Sequence, residues 1–204
     1  MSKLSRFKLS ALVALLVTLG CGTETHNSLT KTRNALEGTW KQECRADDGM
    51  SSQVILSVEG NRIVQTGTFF LGETCESDSI IFVVRKESKY KIGPTLEAEK
   101  ELKEFNFLQS NDFITIQQPI FASQFNQDNF FGYKDWKAGV EKNVTNRNMS
   151  GGESQGQSKY TAFRLKNSEL CIGSSSNDEI VGSTEATRIK TIQLTSDCFS
   201  KQSE

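Results

Sequence analysis

The chain has 204 residues, with 24 Lys and Arg against 25 Asp and Glu and a single His. Residues 1–20 contain three of the basic residues and no acidic ones, so the remainder carries 24 − 3 = 21 positive and 25 negative charges, a net charge of 21 − 25 = −4. Nucleic-acid-binding domains normally present a basic patch or stripe, so this acidic remainder argues against nucleic acid as a partner. The length fits one domain of ordinary size.

The first twenty residues have the layout of an export signal. Three basic residues precede an apolar run over residues 9–19, which only Ser10 and Thr18 interrupt. A helix that spans a membrane needs about 20 apolar residues, so this run is too short to cross a bilayer. We therefore predict a cleaved signal peptide over residues 1–20.

The end of this segment carries a motif. Thr18-Leu19-Gly20-Cys21 resembles the lipobox of bacterial lipoproteins, in which a small residue precedes the cysteine that receives lipid. The resemblance implies that Cys21 carries palmitate-type acyl chains, two or more of which anchor a protein stably to a membrane. Gly22 follows instead of Asp, which implies the outer membrane, with the domain on its periplasmic or surface side. The alternative is an ordinary signal peptide with an incidental cysteine.

Residues 21–35 are rich in Thr, Asn and Ser and contain almost no large apolar residue. Such a segment cannot bury enough apolar surface to offset the entropy lost on ordering. We predict a flexible tether over residues 21–35, a folded domain over residues 36–200 and a disordered tail over residues 201–204. The single histidine, His26, falls in the tether, which argues against Ser-His-Asp and Cys-His catalysis.

After residue 36 the chain consists mainly of short β-type segments. Apolar and polar residues alternate within them, as over residues 54–58, and turn signals separate them, among them Asp47-Asp48-Gly49, Glu59-Gly60-Asn61 and Asn167-Ser168. Eight antiparallel strands are about the number that closes around a small interior and removes exposed edges. We predict a mainly β fold, an antiparallel up-and-down barrel of about eight to nine strands. The predicted strands are residues 38–44, 52–58, 61–70, 79–86, 100–108, 113–117, 160–166, 169–173 and 187–194.

Two stretches break the strand pattern. Phe121 and Phe125 stand at helical spacing, and we predict a short helix over residues 121–130 that ends near Gly132. Residues 143–158 are rich in Gly, Asn, Ser and Gln and lack apolar periodicity. That composition predicts a mobile loop.

A Gly-x-Trp pattern, Gly38-Thr39-Trp40, opens the predicted domain. It resembles the Gly-x-Trp motif of lipocalins, and the strand rhythm over about residues 36–200 is similar to that of lipocalin-like domains in bacterial lipoproteins. The resemblance implies structural roles for Gly38 and Trp40, with the indole packed across the closed end of the barrel. The second lipocalin signature, a Thr-Asp-Tyr-type turn, is missing from the sequence, and the resemblance carries over no ligand residue.

Four cysteines follow Cys21. An even number in an exported chain argues for two disulfides, with three connectivities open. A zinc site is the rival, but neither a Cys-x-x-Cys pair nor a nearby His supports it. In an up-and-down meander Cys44, closing the first strand, and Cys75, after the third, lie at one rim, and Cys171 and Cys198 share a rim as well. We therefore predict the bridges Cys44–Cys75 and Cys171–Cys198 and no metal site.

The most aromatic stretch of the chain includes Phe121, Phe125, Tyr133 and Trp136. Aromatic anchors dominate many binding sites, so these four residues are candidates to line a pocket mouth or a partner surface, with Trp136 near the surface or at a pocket mouth. The alternative is a helix packed over the barrel end with its aromatic side chains in the core.

No motif in the sequence points to catalysis or to a cofactor. Asp47-Asp48-Gly49 lacks the further oxygen ligands that calcium needs, and Ser150-Gly151-Gly152 lacks the Gly-Lys-Ser/Thr ending of a phosphate loop. We expect a non-enzymatic envelope protein without a cofactor, whose barrel holds a small apolar ligand. The alternative is a structural or protein-interaction module with a side-chain-filled barrel. An enzyme, which would need carboxylate, Ser or Tyr chemistry without histidine, ranks third.

Overall fold

A computed structural model describes residues 21–97, 99–148, 158–173, 184–189, 192 and 198–203. The helices are α1 (Cys21–Leu36) and α2 (Pro119–Gln127), with short 3-10 helices at Ser77–Ser79 and Phe130–Gly132. The strands are β1 (Gly38–Lys41), β2 (Arg45–Asp47), β3 (Met50–Glu59), β4 (Arg62–Leu71), β5 (Ile80–Leu96), β6 (Glu99–Ile116), β7 (Glu141–Asn143), β8 (Lys159–Lys166), β9 (Glu169–Ile172) and β10 (Cys198–Lys201). Among the described residues, no helix has the length and apolar character needed to span a bilayer.

Eight of the ten described strands close into one antiparallel barrel. Each pairs with the barrel strands that precede and follow it in the chain, in the order β1, β3, β4, β5, β6, β8, β9 and β10, and β10 returns to pair with β1. Strand β2 adds to the edge of β3, and β7 adds to the edge of β6. The predicted mainly β, up-and-down barrel with a short helix is confirmed.

Turn chemistry sets the register of two hairpins. Asp48 and Gly49 join β2 to β3, Asn167 and Ser168 join β8 to β9, and all four residues have positive φ. Two consecutive residues of positive φ are typical of the type I′ turn, whose twist matches that of the strands it joins. Asn, Asp and Gly adopt this conformation at the lowest cost, which is why the sequence signalled these turns correctly.

The longest strands differ from the prediction. Residues 100–108 and 113–117 were predicted as two strands, but 100–108 and 113–116 belong to the single strand β6, and β5 continues well past residue 86. The two strands pair along their length, with Gln109 as an extra residue opposite the step from Ser88 to Lys89. A β-bulge of this kind leaves one residue unpaired while the ladder continues. The polar run over residues 109–112 resembles a turn in composition, but pairing with β5 keeps it extended.

The strand that closes the barrel lies later in the chain than predicted. Residues 187–189 and 192 are outside any strand, and the other residues of the predicted strand 187–194 lie outside the described residues. Strand β10 begins at Cys198 instead, and Lys201, expected in the tail, pairs with Trp40. In the predicted loop over residues 143–158, Asn143 ends β7 and Val144 is buried, while residues 149–157 lie outside the described part.

The segment expected to be a flexible tether forms helix α1. Its last turns contact the barrel: Leu36 is buried, its carbonyl accepts a hydrogen bond from the Trp40 indole at 2.8 Å, and Lys103 Nζ donates to Thr32 Oγ1 at 2.7 Å. The indole satisfies one of the carbonyls that a helix leaves unpaired at its C-terminal end. Trp40 and Lys103 both lie outside residues 21–35, so the composition of that segment contained no signal for these contacts.

Large apolar side chains fill the barrel. Phe105 lies at the centre, with its ring centroid 4.8–5.2 Å from those of Tyr90, Phe107 and Phe163. The side chains of this barrel core are at most 8% exposed, so their burial is a main source of stability for the fold. Its buried members are Leu36, Trp40, Leu56, Val58, Ile63, Tyr90, Ile92, Phe105, Phe163, Leu170 and Phe199.

A second core lies further along the same inner face of β5 and β6. Phe82 faces Ile116 and Val84 faces Ile114 across this ladder. Side chains two residues apart on a strand point to one face, so Phe82 and Val84 share a face with Tyr90 of the barrel core. Because both strands are long enough to extend beyond the closed part of the barrel, they support two successive cores.

A buried arginine, Arg188, holds residues 184–189 against the outer wall through an ion pair with the half-buried Glu104. The Arg188 side chain is 3% exposed and donates to Glu104 at 3.0 Å, to Asn106 Oδ1 at 2.5 Å and to the Thr161 carbonyl at 2.9 Å. A buried charge without a partner is strongly destabilising, so these acceptors are required. Gly93 lies beside this pair, and a Cβ at position 93 would come within 2.8 Å of the Glu104 Cβ.

Trp40 is the side chain whose removal should affect the fold most. We expect Trp40→Ala to lower the free energy of unfolding by about 3–5 kcal/mol, because it removes a buried indole and leaves a cavity. Trp40→Phe should lower the free energy of unfolding by less, because it keeps a buried ring and loses mainly the hydrogen bond to the Leu36 carbonyl. Urea denaturation with the disulfides intact measures both. An alanine variant that unfolds at the wild-type midpoint would contradict a barrel closed by this residue.

Candidate functional site

The four aromatic residues predicted as ligand contacts come together in the second core. Phe121 and Phe125 lie on α2, while Tyr133 and Trp136 follow the 3-10 helix Phe130–Gly132. Helix α2 begins at Pro119, earlier than predicted, because proline is favoured in the first turn of a helix. It ends at Gln127, before residue 130, and Asn129 with φ of 53° then turns the chain back.

Trp136 lies in the interior, so the expectation that it is near the surface is wrong. Its side chain is 3% exposed, and its indole N–H donates to the Phe130 carbonyl at 3.0 Å. Its backbone N–H donates to Asn126 Oδ1 at 2.5 Å. A buried indole with its polar group paired is typical of a structural residue. At Trp136 the structure therefore agrees with the alternative prediction, in which the aromatic side chains pack in the core.

The other three aromatics are half-buried and also engaged. The Phe125 ring stacks on that of Phe130 with centroids 4.2 Å apart. The Tyr133 ring has two cations beside it, Lys142 Nζ at 4.7 Å from the ring centroid and the Arg147 guanidinium at 4.5 Å. Cations prefer ring faces, so these contacts use surface that a ligand would otherwise occupy.

Two of the clefts that the described residues form lie outside the cores. The first separates α1 from the barrel end and has a volume of about 230 Å³. Lys103 crosses it to reach Thr32. Its volume falls below the roughly 300–1,000 Å³ of ordinary small-molecule sites. The lining residues are Lys31, Thr32, Ala35, Glu101, Lys103, Phe163 and Leu165.

The second cleft, which we call the outer-wall cleft, has a volume of about 510 Å³, within the range of small-molecule sites. It lies where β4, β5 and β6 pass the bulge at Gln109. Bulges bend a strand and occur often beside binding sites. The lining residues are Asn61, Arg62, Glu87, Ser88, Lys89, Leu108 and Asn111.

A chain of alternating charges runs across this wall. Arg62 Nη2 donates to Glu87 Oε2 at 2.7 Å, and Arg85 binds the other oxygen of Glu87. Arg85 also binds both oxygens of Glu141, at 3.0 and 2.7 Å, and its guanidinium lies 4.1 Å from the Phe113 ring centroid. The hydrogen bond from Arg62 holds the pKa of Glu87 below its ordinary value, and the hydrogen bond to Glu141 raises the pKa of Arg85.

Sequence reasoning missed the outer-wall cleft. Charged residues that alternate with apolar ones along a strand indicate its solvated face, and Arg62, Glu87 and Lys89 fit that description. No spacing marks a site, because the residues that line the cleft come from β4, β5, β6 and the turn before β4, which only the folded barrel brings together.

The structure forms two disulfides with the pairing expected from strand order, Cys44–Cys75 and Cys171–Cys198. Cys171 faces Cys198 directly across the β9–β10 ladder, with their Cα atoms 4.0 Å apart. Glu169 lies beside them, and these three residues are the one described cluster with metal-ligand geometry. Both sulfurs belong to the disulfide, so they cannot serve as thiolate ligands.

No family model matches the chain, and a search of curated proteins found no match either. The class of protein therefore follows from the structure. It is a closed β-barrel held by two disulfides, and disulfides indicate an oxidising, extracytoplasmic environment.

The depressed pKa of Glu87 predicts a pH-dependent stability. A carboxyl whose pKa is lower in the folded state stabilises the fold above its unfolded pKa of about 4.3, and the effect is lost as pH falls through the folded value. We expect wild type to be more stable than Glu87→Gln at pH 7, and the difference to shrink in acid. Urea titrations from pH 7 to pH 3 measure it, with Glu73→Gln as the control for removing one exposed charge away from Arg62. A difference that grows toward low pH would contradict the network.

Proposed function

We propose that this protein is a lipid-anchored lipoprotein of the bacterial envelope whose barrel is a solid scaffold that acts through its outer surface. The observation that carries the proposal is the filled barrel interior. Trp40, Phe105 and Phe163, from β1, β6 and β8, are each 1% exposed. An eight-stranded barrel is just wide enough either to be filled by side chains or to hold one small ligand.

A small apolar ligand in the barrel, the other expected function, would need space that these side chains occupy. Interiors of proteins are packed about as densely as organic crystals, so a ligand could enter only if several buried aromatic rings moved together. Phe105 alone has three aromatic neighbours. The packing therefore favours the structural or interaction alternative over a carrier of apolar molecules.

The proposed location in the envelope rests on two separate observations. The two disulfides favour export to an oxidising compartment, and Thr18-Leu19-Gly20-Cys21 resembles a lipobox. Helix α1 begins at Cys21 and has 16 residues, so it extends about 24 Å at 1.5 Å per residue. A lipid on Cys21 would then be separated by that length from the barrel end at Trp40.

Cys21→Ser tests the anchor. We expect the variant to accumulate as unprocessed precursor without metabolic palmitate label, because the cysteine supplies both the processing site and the acylated thiol. Globomycin, which blocks lipoprotein processing, should give the same precursor in wild type. Gly22→Asp is the matched control: it should be processed and labelled, but sorted to the inner membrane. Unchanged processing of the Cys21 variant, with no label in wild type, would overturn the lipoprotein proposal.

Native mass spectrometry tests the solid barrel. We expect the wild-type protein, extracted in mild detergent, to show the mass of the processed chain and its acyl groups alone. An apolar fluorescent probe should show no saturable binding to it. Leu170→Ala, which opens space in the barrel core, is the positive control, because engineered apolar cavities bind small apolar molecules. A stoichiometric small molecule released from wild type, and displaced by the probe, would show that the barrel is a carrier.

A further inference from the structure

We propose that the outer-wall cleft binds a short saccharide that carries an anionic group. The cleft has about 510 Å³ and lies on three strands of the barrel wall. The inference deepens the proposed function by naming a site and a ligand class, and it rests on that function in its choice of envelope sugars as probes.

The charge of the cleft is positive. Arg62 and Lys89 contribute two positive charges and Glu87 one negative charge, so the lining sums to 2 − 1 = +1. Both oxygens of Glu87 already accept hydrogen bonds, from Arg62 and Arg85. Lys89 is exposed and forms no ion pair with any other described residue. In a domain whose net charge without residues 1–20 is −4, this local excess favours an anion.

The remaining lining residues suit hydroxyl groups. The amides of Asn61 and Asn111 can each donate and accept hydrogen bonds. A sugar hydroxyl also does both, so these groups complement one another. Leu108, which is 38% exposed, supplies apolar surface for the C–H face of a sugar ring. A simple inorganic anion would use the charges but neither the amides nor Leu108.

The lining is held in place before any ligand arrives. Arg62 faces Lys89 across the β4–β5 ladder, and Glu87 faces Asn111 across the β5–β6 ladder. Directly opposed residues have Cβ atoms about 4.5–5.5 Å apart, close enough to contact neighbouring groups of one sugar. Asn61 is fixed by its carbonyl, which accepts a hydrogen bond from the Tyr90 N–H at 2.9 Å. Sites on strands are more precisely positioned than sites on loops.

The anionic group has two natural sources in an envelope, a sugar carboxylate and a sugar phosphate. The experiment titrates the full lipidated chain in detergent micelles with two soluble probes by isothermal calorimetry. One probe is a peptidoglycan disaccharide that carries a carboxylate, the other a phosphorylated core oligosaccharide free of acyl chains. We expect saturable binding of at least one probe, weaker binding of a neutral disaccharide, and a loss of affinity as salt is raised. The probe that binds more tightly identifies the source.

Variants locate the site. Lys89→Gln removes the unpaired cation and should weaken binding at least about tenfold, as expected for one charge-assisted contact. Asn111→Ala should weaken it as well, whereas Lys91→Gln, which removes an exposed cation from the same strand outside the cleft, should leave it unchanged. Equal unfolding midpoints for the three variants show that folding is unaffected.

Two results would overturn the proposal: no saturable binding of either probe, or binding that Lys89→Gln and Asn111→Ala leave unchanged. Neither result depends on lipid attachment, which palmitate labelling reports. An unlabelled protein that still binds a probe refutes the anchor and keeps the cleft. A labelled protein that binds neither probe refutes the cleft and keeps the anchor.

Discussion

Closure of the barrel depends on the pairing of two short strands, β1 and β10. Strands β1 and β10 have four residues each, and Trp40 lies opposite Leu56 on one side and Lys201 on the other. We call the pairing of β1 with β10 the seam. If the seam opened, both strands would have unpaired edges, which can pair with other chains. Burial of the indole, its hydrogen bond to Leu36 and the covalent link from Cys198 to β9 hold the seam together. Gly38, with φ of 111°, admits the backbone conformation that starts β1.

The barrel closed in this way contains a core of buried apolar side chains. The side chains that close the seam also occupy the interior, and α2 with its aromatic residues packs on the extension of the same face. The outer wall is then the surface on which polar side chains from several strands remain available. Arg62, Glu87 and Lys89 lie there in fixed rows because each strand is paired on both sides.

Local signals predicted much of the fold. Asp48-Gly49 and Asn167-Ser168 indicated hairpin turns, because these residues favour the backbone conformation that such turns need. The alternation over residues 54–58 indicated which face of one strand is buried. The disulfide pairing followed once strand order was assumed. The continuous strand β6, the helical start of α1 and the burial of Trp136 were not predictable in this way. Each depends on contacts with residues outside the segment itself: β5 for β6, Trp40 and Lys103 for α1, and Phe130 with the sheet for Trp136.

The sequence by itself determined the class of fold, its turns and the candidate anchor at Cys21, because these depend on residues close together in the chain. Tertiary structure alone decided which side chains form the barrel core and that Arg62, Lys89 and Asn111 share a cleft. Their neighbourhood arises from the registers of two ladders and from one extra residue, Gln109, in the second of them. Register depends on the pairing of whole strands, and a shift of one residue turns every side chain to the opposite face. No composition or spacing within a single strand contains that information.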